Sequence, residues 1–477
     1  MESPHRKTVH GFADILSREV GLSHPRNFAR RFSASEMIVK QMNLYGKLTG
    51  HEGCVNAVEF SSSGDLLVSG SDDKQVMLWN WATKSRLISY SSGHLDNIFQ
   101  TRIMPWSDDR RIVTSSADGQ VRLGQLLENG RVETKRLGKH QGRVHKLAVE
   151  PGSPHIFYSC GEDGLVQHFD LRSNSATKIL SCSSFTTNTK RPPKTIRLNA
   201  MVIDPRNANY FAVGGSDEYA RVYDIRMCRW DVSSSSDAPV TTFCPHHLIE
   251  TDNVHITGLA YSNTSELVVS YNDELIYLFR KNMGLGPSPL SLPPEDLQKL
   301  EKPQVYSGHR NSRTVKGVSF FGPNDEYVMS GSDCGHIFIW KKQTARLVRL
   351  MIGDRHIVNQ LEPHPHMPIF ATCGLEKTVK VWVPMASETP PLPDNVSKIM
   401  ESNRQGREDH SQITLTPDVI MHVLRLQRRQ TMAYMERRSN QDDAGSDDEE
   451  GDQYFLRFSD GEGSSEEGGN PRECIIS

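Results

Sequence analysis

Residues 50–80 read GHEGCVNAVEFSSSGDLLVSGSDDKQVMLWN, and this stretch decides the fold. Two apolar runs, VNAVEF and LLVSGS, are separated by the polar turn SSSGD, and a third run, QVMLW, follows the turn SDDK. Short alternating apolar runs joined by tight polar turns are typical of β-hairpins. The stretch therefore predicts a small antiparallel sheet that follows a Gly-His pair and ends near an aromatic residue.

Similar segments occur six more times along the chain. The second copy keeps the acidic residue Asp118 but has Gly124 where an aromatic residue is expected, and the sixth keeps Trp340 but has Cys334 at the acidic position. In the other copies an acidic turn residue stands six positions before an aromatic residue: Asp73 before Trp79, Asp163 before Phe169, Asp217 before Tyr223, Asp273 before Phe279, and Glu376 before Trp382.

The spacing of the acidic positions identifies the kind of repeat. Successive positions are 42 to 61 residues apart, and the shorter spacings match the period of roughly 40 to 45 residues found in WD repeats. The longer spacings indicate insertions at 173–196, 227–250 and 281–304, which we expect to be surface loops because they are rich in Ser, Thr, Pro and Gly. Over residues 40–385 the chain resembles the WD-repeat family.

That resemblance implies an all-β fold, a single seven-bladed WD-repeat β-propeller with four strands in each blade. It also implies that the start of the chain closes the ring, which removes free sheet edges, and residues 41–48 (QMNLYGKL) are the candidate closing strand. Four regions are predicted: an extension at 1–40 with a short helix at 12–20; the propeller at 41–385; a linker at 386–412 followed by a basic helix, together 386–440; and a disordered acidic tail at 441–477.

The net charge of −3 is divided unevenly along the chain. Residues 442–467 carry −10, because six Asp and five Glu face only Arg457, so the rest of the chain carries +7. An acidic segment of this kind cannot bury enough apolar surface to offset its ordering entropy, which predicts disorder. The chain has no long apolar run, no apolar core near its first residue and no CxxC pair. These patterns predict a soluble protein of the nucleus and cytoplasm without a membrane segment, a disulfide framework or a zinc ribbon.

The recurring His, Ser, Asp and Trp residues allow two interpretations. In blade one they are His51, Ser69, Asp73 and Trp79, and a repeated His–Asp pair suggests acid–base chemistry. The WD-repeat resemblance implies instead a buried hydrogen-bonded network that ties loops to strands, and we favour this because buried polar groups need partners. The other residues predicted in such networks are Asp163, Asp217, Asp273, His309, Trp340 and Trp382.

The remaining motifs do not indicate an enzyme. The chain has no phosphate-binding GxxxxGK[ST], no GxSxG and no HExxH. Two histidine-rich spots, His246-His247 and His364-Pro-His366, suggest a metal site, but no Cys or carboxylate lies at a suitable ligand spacing, so we favour turn and core histidines. We therefore predict no catalytic residues, no metal ligands and no cofactor.

Two basic segments are open to several interpretations. The sequence KRPPK at 190–194 lies in an insertion, and Arg425, Arg428 and Arg429 lie in the predicted basic helix. Nuclear import and nucleic-acid binding are both conceivable for such segments. Neither has interleaved aromatic residues on which bases would stack, so we favour solvated surface, and we expect no direct nucleic-acid partner.

A doublet in two neighbouring copies points to a docking function. Copy three ends in Phe169-Asp170-Leu171-Arg172 and copy four in Tyr223-Asp224-Ile225-Arg226, whereas the copies that end in Trp have no arginine at this position. Equivalent positions in adjacent blades face the same rim, so two guanidinium groups would together bind carboxylates of a partner. In the alternative interpretation each arginine only pairs with the aspartate of its own blade.

The doublet resembles the signature of WD-repeat substrate receptors of cullin-4 RING ubiquitin ligases, and the strings GSDCGHIFIW, YNDELIYLF, TVKGVSFFGP, FCPHHL and LEPHPHMP resemble the type-eight group of cullin-4-associated factors. The resemblance implies that residues 169–172 and 223–226 bind the ligase adaptor, the large subunit of damage-specific DNA-binding protein, and through it cullin-4. It also implies a helix before the propeller that inserts into the adaptor, and 12–20 is the candidate. The alternative functions are a WD-repeat scaffold or a histone-peptide reader outside any ligase.

Overall fold

A computed structural model of the chain describes residues 11–411, except 174, 186–193, 229–237, 252, 292, 294 and 296–298. The predicted basic helix and acidic tail, and residues 190–193 of the KRPPK segment, lie outside the described residues. Within them the chain forms seven four-stranded antiparallel sheets arranged as the blades of a β-propeller. No helix in the part of the chain that the structure describes is both long enough and apolar enough to cross a membrane.

The strands follow one another blade by blade. The first strand is β1 (Met42–Thr49), followed in blade one by β2 (Val55–Phe60), β3 (Leu66–Ser71), β4 (Gln75–Asn80) and β5 (Ser85–Ser91), and in blade two by β6 (Ile98–Ile103), β7 (Arg111–Ser116), β8 (Gln120–Leu126) and β9 (Val132–Lys139). Blade three consists of β10 (Val144–Val149), β11 (Ile156–Gly161), β12 (Leu165–Asp170) and β13 (Ser175–Ser181), and blade four of β14 (Leu198–Ile203), β15 (Tyr210–Gly215), β16 (Ala220–Asp224) and β17 (Thr241–Phe243). Blade five consists of β18 (Ile256–Tyr261), β19 (Leu267–Tyr271), β20 (Ile276–Phe279) and β21 (Gln304–Tyr306), blade six of β22 (Val318–Phe321), β23 (Tyr327–Ser330), β24 (His336–Lys341) and β25 (Leu347–Ile352), and blade seven contains β26 (Val358–Pro363), β27 (Phe370–Gly374) and β28 (Thr378–Pro384).

The start of the propeller closes its last blade. β1 pairs antiparallel with β28, and the strand order in this sheet is β1-β28-β27-β26. The closing strand predicted at 41–48 is therefore found at Met42–Thr49. β1 is therefore the fourth strand of blade seven, and it pairs with the edge of β28 that would otherwise be unpaired.

The apolar core lies between neighbouring blades. In one cluster Val68 and Val76 of blade one pack with Ile98, Ile103 and Ile112 of blade two, and all five side chains are buried. Each blade therefore buries its faces only by stacking on the next blade. This dependence is why a repeat of this size is stable in a ring and not alone.

Blade two shows why one copy lacks its aromatic residue. A Cβ atom added at Gly124 would lie 2.4 Å from the hydroxyl oxygen of Tyr90, which belongs to β5 of blade one. The ring of Tyr90 therefore occupies the space that the aromatic residue fills in other copies. Tyr90 of blade one thus fills the space that Gly124 of blade two leaves open, so the packing between the two blades stays dense.

The three predicted insertions are only in part loops. The outer strand of blade three (β13) and that of blade four (β17) lie inside 173–196 and 227–250, and β21 begins at the end of 281–304. The sequence did not reveal these strands because an outer strand is solvated on one side. Most of the side chains in β13 are exposed, so it lacks the apolar pattern by which inner strands are recognised.

Between residue 11 and the propeller the structure has three helices, where the sequence predicted one. The predicted helix at 12–20 is found as α1 (Gly11–Glu19), and it is followed by α2 (Pro25–Ser33) and α3 (Glu36–Lys40). Ser35 caps α3 by accepting a hydrogen bond from the N–H of Ile38 at 3.4 Å. Ile38 and Val39 are buried in the cluster between blades six and seven, so α3 anchors this extension to the propeller.

A fourth helix, α4 (Val396–Ser411), occupies most of the second half of the predicted linker at 386–412, so the linker prediction is wrong there. Val396, Ile399 and Met400 pack against the apolar cluster between blades five and six, which contains Trp340. The sequence did not reveal this helix because most of its residues are polar. Its narrow apolar stripe is the part that packs on the propeller.

Candidate functional site

The arginine doublet stands at equivalent places in two neighbouring blades. Phe169 and Tyr223 are buried at the ends of β12 and β16, where they stack on Phe157 and Phe211 with ring centroids 4.7 and 5.6 Å apart. Because these rings fix the strand ends, the aspartate that closes each strand and the arginine two residues later are held in defined positions.

The two arginines make the same set of hydrogen bonds. In blade three the backbone N–H and Nε of Arg172 donate to Oδ1 of Asp170 at 2.9 and 3.0 Å, and Nη2 donates to Oδ2 at 2.8 Å. In blade four the corresponding distances from Arg226 to Asp224 are 2.9, 3.0 and 2.6 Å. Each arginine thus pairs with the aspartate of its own blade, as the alternative interpretation of the doublet proposed.

This pairing leaves both guanidinium groups available to a partner. The side chains of Arg172 and Arg226 are 65% and 61% exposed. The bonds to aspartate use Nε and one terminal nitrogen, so other N–H donors remain on each guanidinium. Hydrogen bonds from Arg172 lower the pKa of Asp170 to about 2, and those from Arg226 lower the pKa of Asp224. Both aspartates therefore stay ionised at neutral pH.

Both arginines lie on one face of the disc. In a four-stranded antiparallel blade the first and third strands run in the same direction, and each arginine follows the third strand of its blade. The two blades are in direct contact there, since the rings of Tyr158 and Phe211 stack with centroids 6.5 Å apart. The structure therefore places the doublet on one rim, and its binding role remains a prediction.

Blades one to three contain the predicted His–Asp arrangement. In blade one Nδ1 of His51 lies 2.9 Å from Asp73, its Nε2 lies 2.7 Å from the hydroxyl of Ser69, and Nε1 of Trp79 donates to the same hydroxyl at 2.8 Å. Burial alone would raise the pKa of Asp73, but its hydrogen bond with His51 lowers it. The equivalent residues are His94, Thr114 and Asp118 in blade two, and His140, Ser159 and Asp163 in blade three.

In blades four, five and seven the corresponding residues have other hydrogen-bond partners. Asp217 accepts a hydrogen bond at 2.9 Å from Nη1 of Arg221, a buried arginine. The indole nitrogen of Trp382 donates to the hydroxyl of Thr372 at 2.9 Å. In blade five Oδ2 of Asp273 accepts a hydrogen bond from Nδ2 of Asn272 at 3.1 Å, and its Oδ1 has no hydrogen-bond partner among the described residues, so Asn272 stands in place of the histidine expected to pair with Asp273.

Blade six has lost the His–Asp pair. His309 is fully buried, and within the described ranges neither of its ring nitrogens has a hydrogen-bond partner. Its acidic partner is replaced in sequence by Cys334, and Nε1 of Trp340 donates instead to the carbonyl oxygen of Ser307 at 3.1 Å. Burial lowers the pKa of His309 to about 3, so this ring is neutral at physiological pH.

We expect His309 to make stability pH-dependent. Its pKa is about 3 in the folded chain against 6.5 for an ordinary histidine. Between these values the unfolded chain binds a proton that the folded chain does not, so stability is complete above pH 6.5 and falls as the pH is lowered. Urea unfolding of the wild type and H309F at about pH 7.5 and pH 5 will show a smaller loss in the variant. Equal losses in the two proteins would contradict this assignment.

The histidine-rich spots have structural roles. Nδ1 of His364 accepts hydrogen bonds from the N–H groups of His366 and Met367, each at 3.0 Å, and its Nε2 lies 3.0 Å from the carbonyl oxygen of Gly64 in blade one. This histidine therefore links blade seven to blade one. Nε2 of His247 lies 3.1 Å from the hydroxyl of Tyr277. No group of three or more His, Cys, Asp or Glu side chains that could hold a metal ion was found among the described residues.

A family model described as "WD domain, G-beta repeat" matches residues 42–80, 300–341 and 346–383. These matches fall on strands of blades one, five, six and seven. The chain is a seven-bladed β-propeller that contains WD40 repeats. Blades two, three and four lie outside the matched ranges.

Several other proteins are similar in amino-acid sequence to this WD40 propeller. It is 35% identical over 300 residues to Protein ALTERED SEED GERMINATION 2 of Arabidopsis thaliana, covering 57% of this chain and 39% of the relative. It is 30% identical over 334 residues to WD and tetratricopeptide repeats protein 1 of Mus musculus, covering 64% and 48%. It is 32% identical over 276 residues to DDB1- and CUL4-associated factor 6 of Mus musculus, covering 56% and 31%. In these alignments the chain spans less than half the length of each relative.

Proposed function

We propose that this WD40 propeller is a non-catalytic substrate receptor of a cullin-4 RING ubiquitin ligase, of the type-eight group, acting in the nucleus and cytoplasm. Arg172 and Arg226 bind the ligase adaptor DDB1, and the adaptor connects the receptor to cullin-4. The observation that carries the proposal is that two adjacent blades build the same exposed arginine fork on one rim. Similarity to a protein that is by name DDB1- and CUL4-associated supports it.

The aspartates make the arginines better binding groups. Asp170 and Asp224 hold each guanidinium in one orientation, so less side-chain entropy is lost when a partner binds. A guanidinium forms paired, charge-assisted bonds with a carboxylate, and such bonds are stronger and more directional than those of a lysine. Two forks at a spacing fixed by the propeller therefore select a surface with two matching acceptors.

The N-terminal helices supply a second contact with the adaptor. Ile15, Leu16 and Val20, within and just after α1, are exposed, and Phe28 and Phe32 of α2 stack with ring centroids 5.9 Å apart. An apolar helical surface that the propeller does not cover fits the helix that the receptor family inserts into the adaptor. The side chain of Phe12 in the predicted helix lies outside the described residues.

The opposite face is the place for a substrate. A cavity of about 1050 Å³ lies among the loops of blades three to five. Glu162, Glu218, Tyr219 and His255 are among its lining residues, so it offers both charged and aromatic contacts. The receptor performs no bond chemistry in this mechanism. It holds the substrate near the ubiquitin-charged enzyme and raises the effective concentration of the two reactants.

The double variant R172E/R226E tests the proposal. Charge reversal turns two attractive contacts into repulsive ones, so we expect binding of purified DDB1 to weaken about 100-fold or more, measured by biolayer interferometry. Circular dichroism melting should show a folded propeller, because both side chains are exposed.

R404E is the matched control. Arg404 is 53% exposed and pairs with its own acids, Glu401 and Glu408, but it lies in α4 away from the doublet. Its reversal should leave DDB1 binding unchanged. Wild-type affinity in R172E/R226E would refute the assignment of the doublet. A wild-type chain that does not bind DDB1 would favour a scaffold or peptide reader outside a ligase.

A further inference from the structure

One tryptophan of the propeller is displayed to solvent by a strained turn. Trp106, in the turn between β6 and β7 of blade two, is 82% exposed and has φ +54°. Asp108 and Asp109 in the same turn also have positive φ angles, of 52° and 56°. Aspartate tolerates this conformation better than most residues, whereas a bulky residue such as tryptophan rarely adopts it. The unusual feature of the turn is therefore the backbone of Trp106.

Burial does not explain this tryptophan. The other tryptophans in the described part of the chain are buried: Trp79, Trp81, Trp340 and Trp382. Trp106 therefore exposes a large apolar ring to water without a packing role in the isolated chain. Tryptophan is among the residues that contribute most binding energy when a partner covers them.

Trp106 lies on the face that carries the arginine doublet. It follows β6, the first strand of blade two, and Arg172 follows β12, the third strand of blade three; ends of first and third strands share one edge of each blade. A contact joins blades two and three at this edge, since Nη1 of Arg111, at the start of β7, lies 3.5 Å from Nδ1 of His155. The carbonyl oxygen of His155 in turn accepts a hydrogen bond from the N–H of Leu171, beside Arg172.

The same arc continues into blade four. Met227 follows Arg226 and is 77% exposed. Trp106, Arg172, Arg226 and Met227 thus occupy neighbouring positions on blades two, three and four. Tryptophan, arginine and methionine are enriched in protein interfaces relative to other surfaces. The composition of the arc is that of a protein-binding surface and not of a solvated rim.

We infer that Trp106 is the apolar anchor of the surface that binds the ligase adaptor, an inference that rests on the proposed function. The occupant is DDB1, which would present an apolar pocket to the indole and acceptor groups to Arg172 and Arg226. The adaptor is favoured over a substrate because Trp106 lies on the face with the doublet, opposite the cavity of blades three to five.

The variant W106N tests the inference. Asparagine tolerates positive φ better than other non-glycine residues, so it removes the indole and preserves the turn. The matched control is L95N, because Leu95 is 75% exposed in the same blade but precedes β6 and so lies on the opposite face. We expect W106N to bind purified DDB1 about tenfold more weakly or worse. L95N should bind like the wild type, and the melting temperature of W106N should not fall.

Three results would overturn the inference. If W106N binds DDB1 like the wild type while R172E/R226E does not, Trp106 is not part of the interface and the proposed function stands. If the wild type itself does not bind DDB1, the proposed function and the inference fall together. If the wild type self-associates in sedimentation analysis and W106N is monomeric with unchanged DDB1 affinity, the ring contacts a second copy of this chain instead.

Discussion

Replacing Lys316 with methionine will lower the free energy of unfolding by about 3 kcal/mol or more. Lys316 is fully buried in blade six and forms an ion pair with Asp333, which is almost completely buried as well. Its Nζ also donates to the hydroxyl of Thr314 at 2.9 Å. Methionine fills a similar volume but removes the closer of the two cations beside Asp333, and the remaining one, Nε of Arg310, lies 4.0 Å from its Oδ2. Urea unfolding of K316M and the wild type at neutral pH measures the difference.

A second substitution separates loss of charge from loss of packing. Asp333 also accepts hydrogen bonds from the N–H groups of Ser312 and Arg313, at 2.7 and 3.2 Å. An asparagine oxygen can accept these bonds without carrying a charge. The double variant K316M/D333N should therefore recover at least half of the lost stability. If it is no more stable than K316M, the cost of K316M comes from packing and not from an unpaired charge.

The propeller was predictable because its signal is repeated. Seven copies of one strand pattern give the number of blades, and the segment QMNLYGKL before the first Gly-His pair gives the closing strand found at Met42–Thr49. One copy that departs from the pattern does not change the number of blades, so the absence of an aromatic residue at Gly124 did not affect the predicted fold. The reason for that absence lies in Tyr90 of the neighbouring blade, which no local pattern can show.

The networks were less predictable because they depend on three-dimensional partners. The sequence places a turn acid in blade four and a histidine in blade six as it does in blade one. In the structure Asp217 pairs with Arg221, four residues away, and His309 has no hydrogen-bond partner among the described residues. The same residue type at the same repeat position therefore has different hydrogen-bond partners in different blades, and in blade six it has none among the described residues. Only the geometry of side chains from other strands decides which partner is found.

The candidate site was predicted in position but not in extent. The doublet at Arg172 and Arg226 is visible as a repeated aromatic-Asp-x-Arg string, because both arginines lie next to recognisable repeat residues. Trp106 has no recognisable repeat residue beside it, and the sequence alone does not show whether a tryptophan in a polar turn is buried or exposed. Its exposure and its positive φ are properties of the fold. The sequence could therefore predict where the arginine doublet lies but not that an exposed tryptophan lies on the same rim.

A chain that ends at residue 393 will be less stable than one that ends at residue 411 by about 2 to 4 kcal/mol. The shorter chain lacks α4, whose residues Val396, Ile399 and Met400 pack on the apolar cluster between blades five and six. It also loses the hydrogen bond from Nδ2 of Asn403 to the carbonyl oxygen of Gly308 at 2.8 Å. Thermal unfolding of the two chains measures the difference, and both lack residues 412–477, so those residues do not affect the comparison.

Two further readouts show whether α4 acts where the structure places it. Nδ2 of Asn403 lies 3.3 Å from Sγ of Cys334, so removing the helix should increase the rate at which a thiol reagent labels Cys334. Cys334 and Gly308 precede β24 and β22, at the edge opposite the ends of the third strands. The affinity for DDB1 should therefore be the same for both chains, because Arg172 lies on the other face. Equal melting temperatures and equal labelling rates would show that α4 is not docked on blade six. Unequal DDB1 affinities would show that the two faces of the propeller are not independent.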